Sequence, residues 1–293
     1  MQLRALLGAT VAVGVVVGFL GGCSGKKPVL PADQLWTEGN AAYDDEAYDY
    51  AIQKYKALLD QYPFDPNAEE AELKIANAYY AAERYPEAIA AYGNFERMHP
   101  TSQFLPSTEY HRGLAYLAQY TTSDRDQQPI QSALATFKNI VDRFPGTPWA
   151  ERSQLRIREC REALARHETD VAQYYLQQES IRAAESRLRG LLVDYPETDA
   201  TADALVMFGQ AYDVREDPQA AKLAYATLVR LHPDVPGAKD ARERLGGDTV
   251  VAGDPLPSMI AYLDSARTLP DRANVPRTVS AYPDTGNASG AKY

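Results

Sequence analysis

The chain has 293 residues, of which 45% are hydrophobic and 24% charged, and it carries a formal net charge of −10. This is enough apolar material for one elongated or two compact domains, while the negative balance argues against a nucleic-acid partner, whose phosphates it would repel. With only Cys23 and Cys160 for thiols and four scattered histidines, neither a disulfide framework nor a His-rich metal centre is expected.

The first residues read as a targeting segment. Arg4 supplies a positive start, Ala5 to Leu20 is an uncharged apolar run, and small residues precede Cys23. The run is short for a membrane-spanning helix. Leu20-Gly21-Gly22-Cys23 resembles the lipobox of bacterial lipoproteins. The resemblance implies cleavage before Cys23 and acylation of that residue. Residues 1–22 are then a signal peptide and 23–31 a linker. Ser24, where an aspartate would retain a lipoprotein in the inner membrane, implies the periplasmic face of the outer membrane. Several acyl chains, each methylene contributing about 0.8 kcal/mol, make such an anchor effectively permanent, so membrane association is expected through lipid alone. Cys160 is then the one thiol left free.

From residue 32 the chain repeats. A ring followed by proline recurs at Tyr62-Pro63, His99-Pro100, Phe144-Pro145, Tyr195-Pro196 and His232-Pro233. Twelve residues before each proline stands Ala51, Ala88, Ala133, Ala184 or Ala221, and eight before it Tyr55, Tyr92, Phe137, Leu188 or Tyr225. A small residue, Gly39, Ala76, Ala172 or Gly209, stands a further twelve residues upstream of the alanine, with Gly113 displaced in the third repeat. These columns match the tetratricopeptide (TPR) pattern of two antiparallel helices per repeat. A small residue lets the two helices approach, a ring fills the space beside it, and proline stops the second helix. The predicted fold is all-α, a right-handed superhelical solenoid of about five such hairpins over 32–246, with approximate repeats at 32–66, 67–105, 106–147, 148–197 and 198–246.

The proline spacings are 37, 45, 51 and 37 residues. The 45-residue interval contains the polar, turn-rich stretch Thr121 to Pro129, which reads as an exposed loop. The 51-residue interval contains Trp149 to Gln178 without glycine or proline, which predicts one unusually long helix. Residues 247–293 are rich in proline and glycine and are expected to be mostly disordered, with one short helix at Met259 to Thr268.

No catalytic or phosphate-binding motif occurs, and the chain is expected to be no enzyme, with no cofactor and no bound metal. Charge is more informative. Residues 32–105 carry a net −9, whereas 106–190 carry a net +1. Arg152, Arg156, Arg158, Arg161 and Arg166 fall on the long helix, followed by Arg182, Arg187 and Arg189. They read either as a solvated face with helical ion-pair partners or as a docking patch for carboxylates. First helices of TPR repeats line the inner surface. There Trp36, Asn40 and Tyr43, then Leu73, Asn77 and Tyr80, and finally Tyr110 form a candidate groove for an extended peptide.

The mature chain to about residue 246 resembles the BamD family, TPR lipoproteins of the outer-membrane β-barrel assembly complex. The resemblance rests on S-D-R-D-Q-Q at Ser123 to Gln128, on H-E-x-x-V-A-x-Y-Y at His167 to Tyr175, and on Ala183-Ala184 followed by Arg187 and Asp194-Tyr195-Pro196. It implies a scaffold that helps insert β-barrel proteins and binds the POTRA domains of a BamA-like barrel protein through its later repeats. It also implies association with the other lipoproteins of that complex, and receipt of C-terminal segments of unfolded outer-membrane proteins by the first repeats. Arg187 matches the family's arginine in repeat four. Arg156, Arg158 and Arg161 are further candidates, with Arg242 and Arg244 next. A secretin pilotin or a cell-envelope coordination adaptor would share the repeats but is not expected to carry the Ser123 insertion. An anchored enzyme would need a catalytic domain that the tail is too short to form.

Overall fold

Helix formation follows the apolar columns. The computed structural model describes residues 30–123, 125–246 and 253–266, and no strand occurs among them. Five antiparallel hairpins succeed one another: α1 (Ala32–Asp44) with α2 (Tyr48–Gln61), α3 (Ala68–Ala81) with α4 (Tyr85–Met98), and α5 (Leu105–Ala118) with α6 (Gln128–Arg143). Then come α7 (Pro148–Gln177) with α8 (Ile181–Asp194) and α9 (Asp199–Val214) with α10 (Pro218–Leu231), followed by α11 (Pro236–Arg244) and α12 (Pro255–Ala266). The signal-peptide and lipidation readings, Cys23 included, fall outside the described residues, as do Asp124 and the end of the tail.

Each hairpin is closed by one large side chain seated in a gap, a ring in four of them and Leu188 in the fourth hairpin. Tyr55, Tyr92, Phe137 and Leu188 are fully buried and Tyr225 nearly so, and the alanine column is buried throughout. A Cβ on Gly39 would lie 2.7 Å from the Tyr55 ring, one on Gly113 2.6 Å from Phe137, and one on Gly209 closer still to Tyr225. Glycine is required at these three places because a ring occupies the volume of its missing side chain.

The turns inside four hairpins contain a further column. Glu46, Glu83, Glu179 and Glu216 all have φ near +60° (60, 58, 57 and 59). Each sits two residues past its helix end, in the left-handed position that glycine usually takes. The amide after it bonds back five residues, as from Ala47 to the Ala42 carbonyl at 2.8 Å and from Arg84 to that of Tyr79 at 2.9 Å. Holding a glutamate there costs about 1 kcal/mol relative to glycine. In the third hairpin the Gln119 to Gln127 segment replaces this turn.

The long helix is α7, 30 residues. Thr147 Oγ1 caps its start by accepting from Ala150 N at 3.2 Å. Cys160 and Leu164 pack with Tyr110, Ile130 and Phe137 of the third hairpin. One turn later Ala165 and Ala172 join the core of α8, α9 and α10. One rigid rod therefore belongs to two successive cores. The Ser123 loop is fastened to it: Ser123 Oγ donates to Asp170 at 2.6 Å, and the His167 ring meets the Ser123 carbonyl. Gln127 Nε2 closes the loop on the carbonyls of Ser123 and Arg125, at 2.9 and 2.6 Å.

Among the described residues of the tail, Pro255–Ala266 is a helix that overlaps the short one expected at Met259 to Thr268, and it packs on α8 and α10, burying Met259 and Leu263 in the last core. Tyr262 Oη donates to Asp217 at 2.6 Å, and Arg189 pairs with Asp264 at 2.5 Å. The last hairpin of a stack has an apolar outer face with no successor, and α12 covers it.

Gly209→Ala is expected to destabilise the protein by about 1–3 kcal/mol, because the Tyr225 ring must leave its seat. Adding Tyr225→Leu, which reproduces the Ala172–Leu188 pair of the fourth hairpin, should recover part of the loss. Urea unfolding of the single and double variants checks both expectations.

Candidate functional site

The first helices of successive hairpins stack on one another, α3 on α5, α5 on α7 and α7 on α9, and form the inner surface. Trp36, Asn40, Tyr43, Asn77 and Tyr80 are all half-buried there. Trp36 leans on Tyr55 with ring centroids 5.7 Å apart, Tyr43 meets Tyr48 edge-on, and Tyr80 meets Tyr85 in the same way. Lys74 Nζ lies 5.3 Å from the Tyr43 ring centre. Burial pushes the Tyr43 and Tyr80 hydroxyls up from their ordinary values, so both are neutral donors at physiological pH.

Two residues expected in the groove lie in the core instead. Leu73 and Tyr110 are only 9% and 7% exposed. Tyr110 is enclosed by Phe137 and Trp149, with centroids at 5.7 and 5.3 Å. Leu73 fills the core of the second hairpin and Tyr110 that of the third rather than facing a ligand, whereas Trp36, at the same offset in the first hairpin, stays half-buried.

The asparagines do two things. The hydroxyls of Tyr55 and Tyr92, the rings of the closing contacts, donate to Asn40 Oδ1 and Asn77 Oδ1, each at 2.8 Å. In the fifth hairpin Tyr225 donates instead to Asp213, at 2.8 Å. A buried phenol needs an acceptor, and the asparagine supplies it. That leaves both Nδ2 groups without a partner among the described residues. Each amide is thus half structural, with its two N–H donors unused among the described residues.

The four candidate arginines separate in space. Arg156 lies on the inner surface. Its Nη1 pairs with Glu159 at 2.7 Å, its Nε reaches the Tyr110 hydroxyl at 3.4 Å, and its charge opposes the rise in the Tyr80 pKa. Arg161 is taken up by Glu197 and the Asp194 carbonyl, which tie the α8–α9 turn to α7. Arg158 is exposed and has no ion-pair partner among the described residues. It borders an open notch with Thr121, Thr122 and Glu162. Arg187 sits on α8 in a separate shallow cleft of about 420 Å³, lined also by Glu168, Tyr175, Gly190 and Tyr195. Its Nη1 pairs with Glu168 at 3.0 Å, yet the side chain remains 40% exposed. Nothing stands within 4 Å of where a Gly190 side chain would be, so the cleft floor is open. One docking face cannot therefore include all four.

Cys160 is fully buried, and burial pushes its thiol up to about 12, so it is inert despite the arginines around it. The described residues hold no cluster of His, Cys, Asp and Glu arranged for a metal ion.

Residues 28–228 match the YfiO family, described as an outer membrane lipoprotein. Three similar curated proteins are each named outer membrane protein assembly factor BamD. The one from Vibrio cholerae is 31% identical over 211 residues, covering 68% of this chain and 88% of that protein. The one from Pasteurella multocida is 29% identical, covering 65% and 78%, and the one from Haemophilus influenzae 29%, covering 70% and 82%. The matched region ends before α11 and α12.

The two functions of each asparagine can be separated. Asn40→Ala and Asn77→Ala should each cost about 1–3 kcal/mol, because a buried tyrosine hydroxyl loses its acceptor. Asn40→Asp and Asn77→Asp keep that acceptor and remove the free donors. They should leave thermal unfolding nearly unchanged and still weaken binding of a peptide from a barrel-protein C-terminus, as read by fluorescence anisotropy. Equal unfolding curves for the alanine and aspartate variants would contradict the assignment.

Proposed function

The chain belongs to the YfiO family of outer membrane lipoproteins, and we propose that it is an outer membrane protein assembly factor, a scaffold of the β-barrel assembly (BAM) complex. It is held at the periplasmic face of the outer membrane through acylated Cys23. It binds a BamA-like barrel protein through that protein's POTRA domains, works beside the other lipoproteins of the complex, and helps β-barrel proteins insert. It performs no catalysis. It binds through two surfaces of one rigid stack.

The inner surface of the first two hairpins receives C-terminal segments of unfolded barrel proteins. Neutral tyrosine rings suit the apolar and aromatic side chains of a strand, and the asparagine donors suit its backbone carbonyls. The second surface is the α8 cleft, where the BamA-like partner docks. The observation that carries this assignment is Arg187, half-exposed in an open cleft on a helix wedged between α7 and α12. Its guanidinium is held in place by Glu168, so little conformational freedom is lost when a partner carboxylate arrives. Arg158, exposed and without an ion-pair partner among the described residues, is the second candidate contact.

Arg187→Glu should abolish or strongly reduce co-purification of the barrel protein from membranes. Removing one partner of a desolvated interfacial charge pair costs about 2–5 kcal/mol, against about 0–1 kcal/mol for losing the exposed pair with Glu168. The melting temperature should therefore barely move. Glu168→Gln, which leaves the arginine in place without its internal partner, should preserve the complex. If Arg187→Glu leaves co-purification intact in moderate salt, Arg187 is an internal charge only and docking lies elsewhere.

A further inference from the structure

The two edges of the solenoid hold different turns. One edge holds the turns inside the hairpins, where Asp44, Asp45, Glu46, Glu83, Glu179 and Glu216 are all exposed. The other holds the proline turns between hairpins and the start of α1. On it stands Phe64, 97% exposed and the most exposed of the large hydrophobic side chains among the described residues. Nothing in the turn uses that ring. Asp65 Oδ1 accepts from Asn67 N at 2.8 Å, and the Asp65 amide donates to the Tyr62 carbonyl at 3.0 Å, so the backbone is ordered by its neighbours while the phenyl projects outward.

The chain before α1 enters at the same place. The Tyr62 hydroxyl donates to the Leu30 carbonyl at 3.0 Å, two residues from Phe64. Leu30 lies only seven residues on from Cys23. Fully extended, they span about 25 Å. Lys26 and Lys27 lie within that stretch.

We propose that the proline-turn edge of the first hairpin rests on the lipid surface, with the Phe64 ring inserted in the membrane interface as a second contact beside the acylated cysteine. One exposed ring is too little to hold a protein on a bilayer alone. On a tether this short, however, its local concentration at the surface is high, and a weak second contact then fixes orientation. That orientation turns the inner surface sideways rather than against the membrane. The inference rests on acylation of Cys23.

The test uses the full lipidated chain with Phe64→Cys, labelled with an environment-sensitive dye and reconstituted on phosphatidylethanolamine–phosphatidylglycerol vesicles. Cys23 is blocked by its lipid and Cys160 is buried, so position 64 alone takes the dye. Tyr50→Cys, on the opposite side of the same hairpin, serves as the comparison. The expected result is a blue-shifted, severalfold brighter emission at position 64, quenched by spin-labelled lipid, with no change at position 50. Protein that floats with vesicles while the dye at 64 stays unshifted overturns the Phe64 contact and leaves lipid anchoring intact, as does an equal response at both positions. Protein that fails to float overturns the anchoring as well.

Discussion

The structure depends on one contact repeated five times: a ring or leucine of a second helix seated where a first helix carries almost no side chain. Because the seat is a missing side chain rather than a flexible gap, it sets the distance and rotation between the two helices at once. The tyrosine version adds a polar constraint. Its hydroxyl emerges toward the inner surface, where it must find an acceptor, and Asn40 or Asn77 stands ready. A core contact therefore dictates which polar group lines the surface, and the asparagine donors face outward because their carbonyl oxygen faces in.

The 30-residue α7 converts a stack of hairpins into a single lever. A regular repeat would place α8 beside the start of α7, but here the start of α7 is taken up by the third hairpin and the end by the fourth. The fastened Ser123 loop and the Arg161 tie to the α8–α9 turn brace both sides of this rod. Force or binding energy applied at α8 is thus transmitted to the third hairpin without a hinge. For the proposed scaffold, which would hold a substrate segment and a partner domain at fixed separation, that stiffness is the useful property.

Much of this was legible in the sequence where close packing imposes residue size at fixed spacing. The glycine, alanine and ring columns are of that kind, and so is α7, since the absence of glycine and proline from Trp149 to Gln178 leaves no place for a break. What escaped has a common cause: it depends on partners far apart in the chain. Arg161 finds Glu197 and Arg166 finds Asp203, more than thirty positions away, and nothing local distinguishes them from the docking candidates Arg158 and Arg187. Leu73 and Tyr110 keep the composition of groove residues while turning inward. The four left-handed glutamates were missed because glutamate is not a marker of that conformation. The Pro255–Ala266 segment lies in a stretch of disorder-like composition, yet an uncovered apolar face on α8 and α10 gives it something to pack on.

The central claim is that one rigid stack presents two independent surfaces, a tyrosine–asparagine groove on the first two hairpins and a docking cleft on α8. Hydrogen–deuterium exchange with each ligand in turn tests it most directly. A C-terminal barrel peptide should slow exchange in α1 and α3 and leave α8 unaltered. The periplasmic domains of the barrel protein should slow exchange in α8 and the adjoining part of α7, leaving α1 and α3 as they were. Protection of the same helices by both ligands, or of α8 by the peptide alone, would contradict the two-surface account.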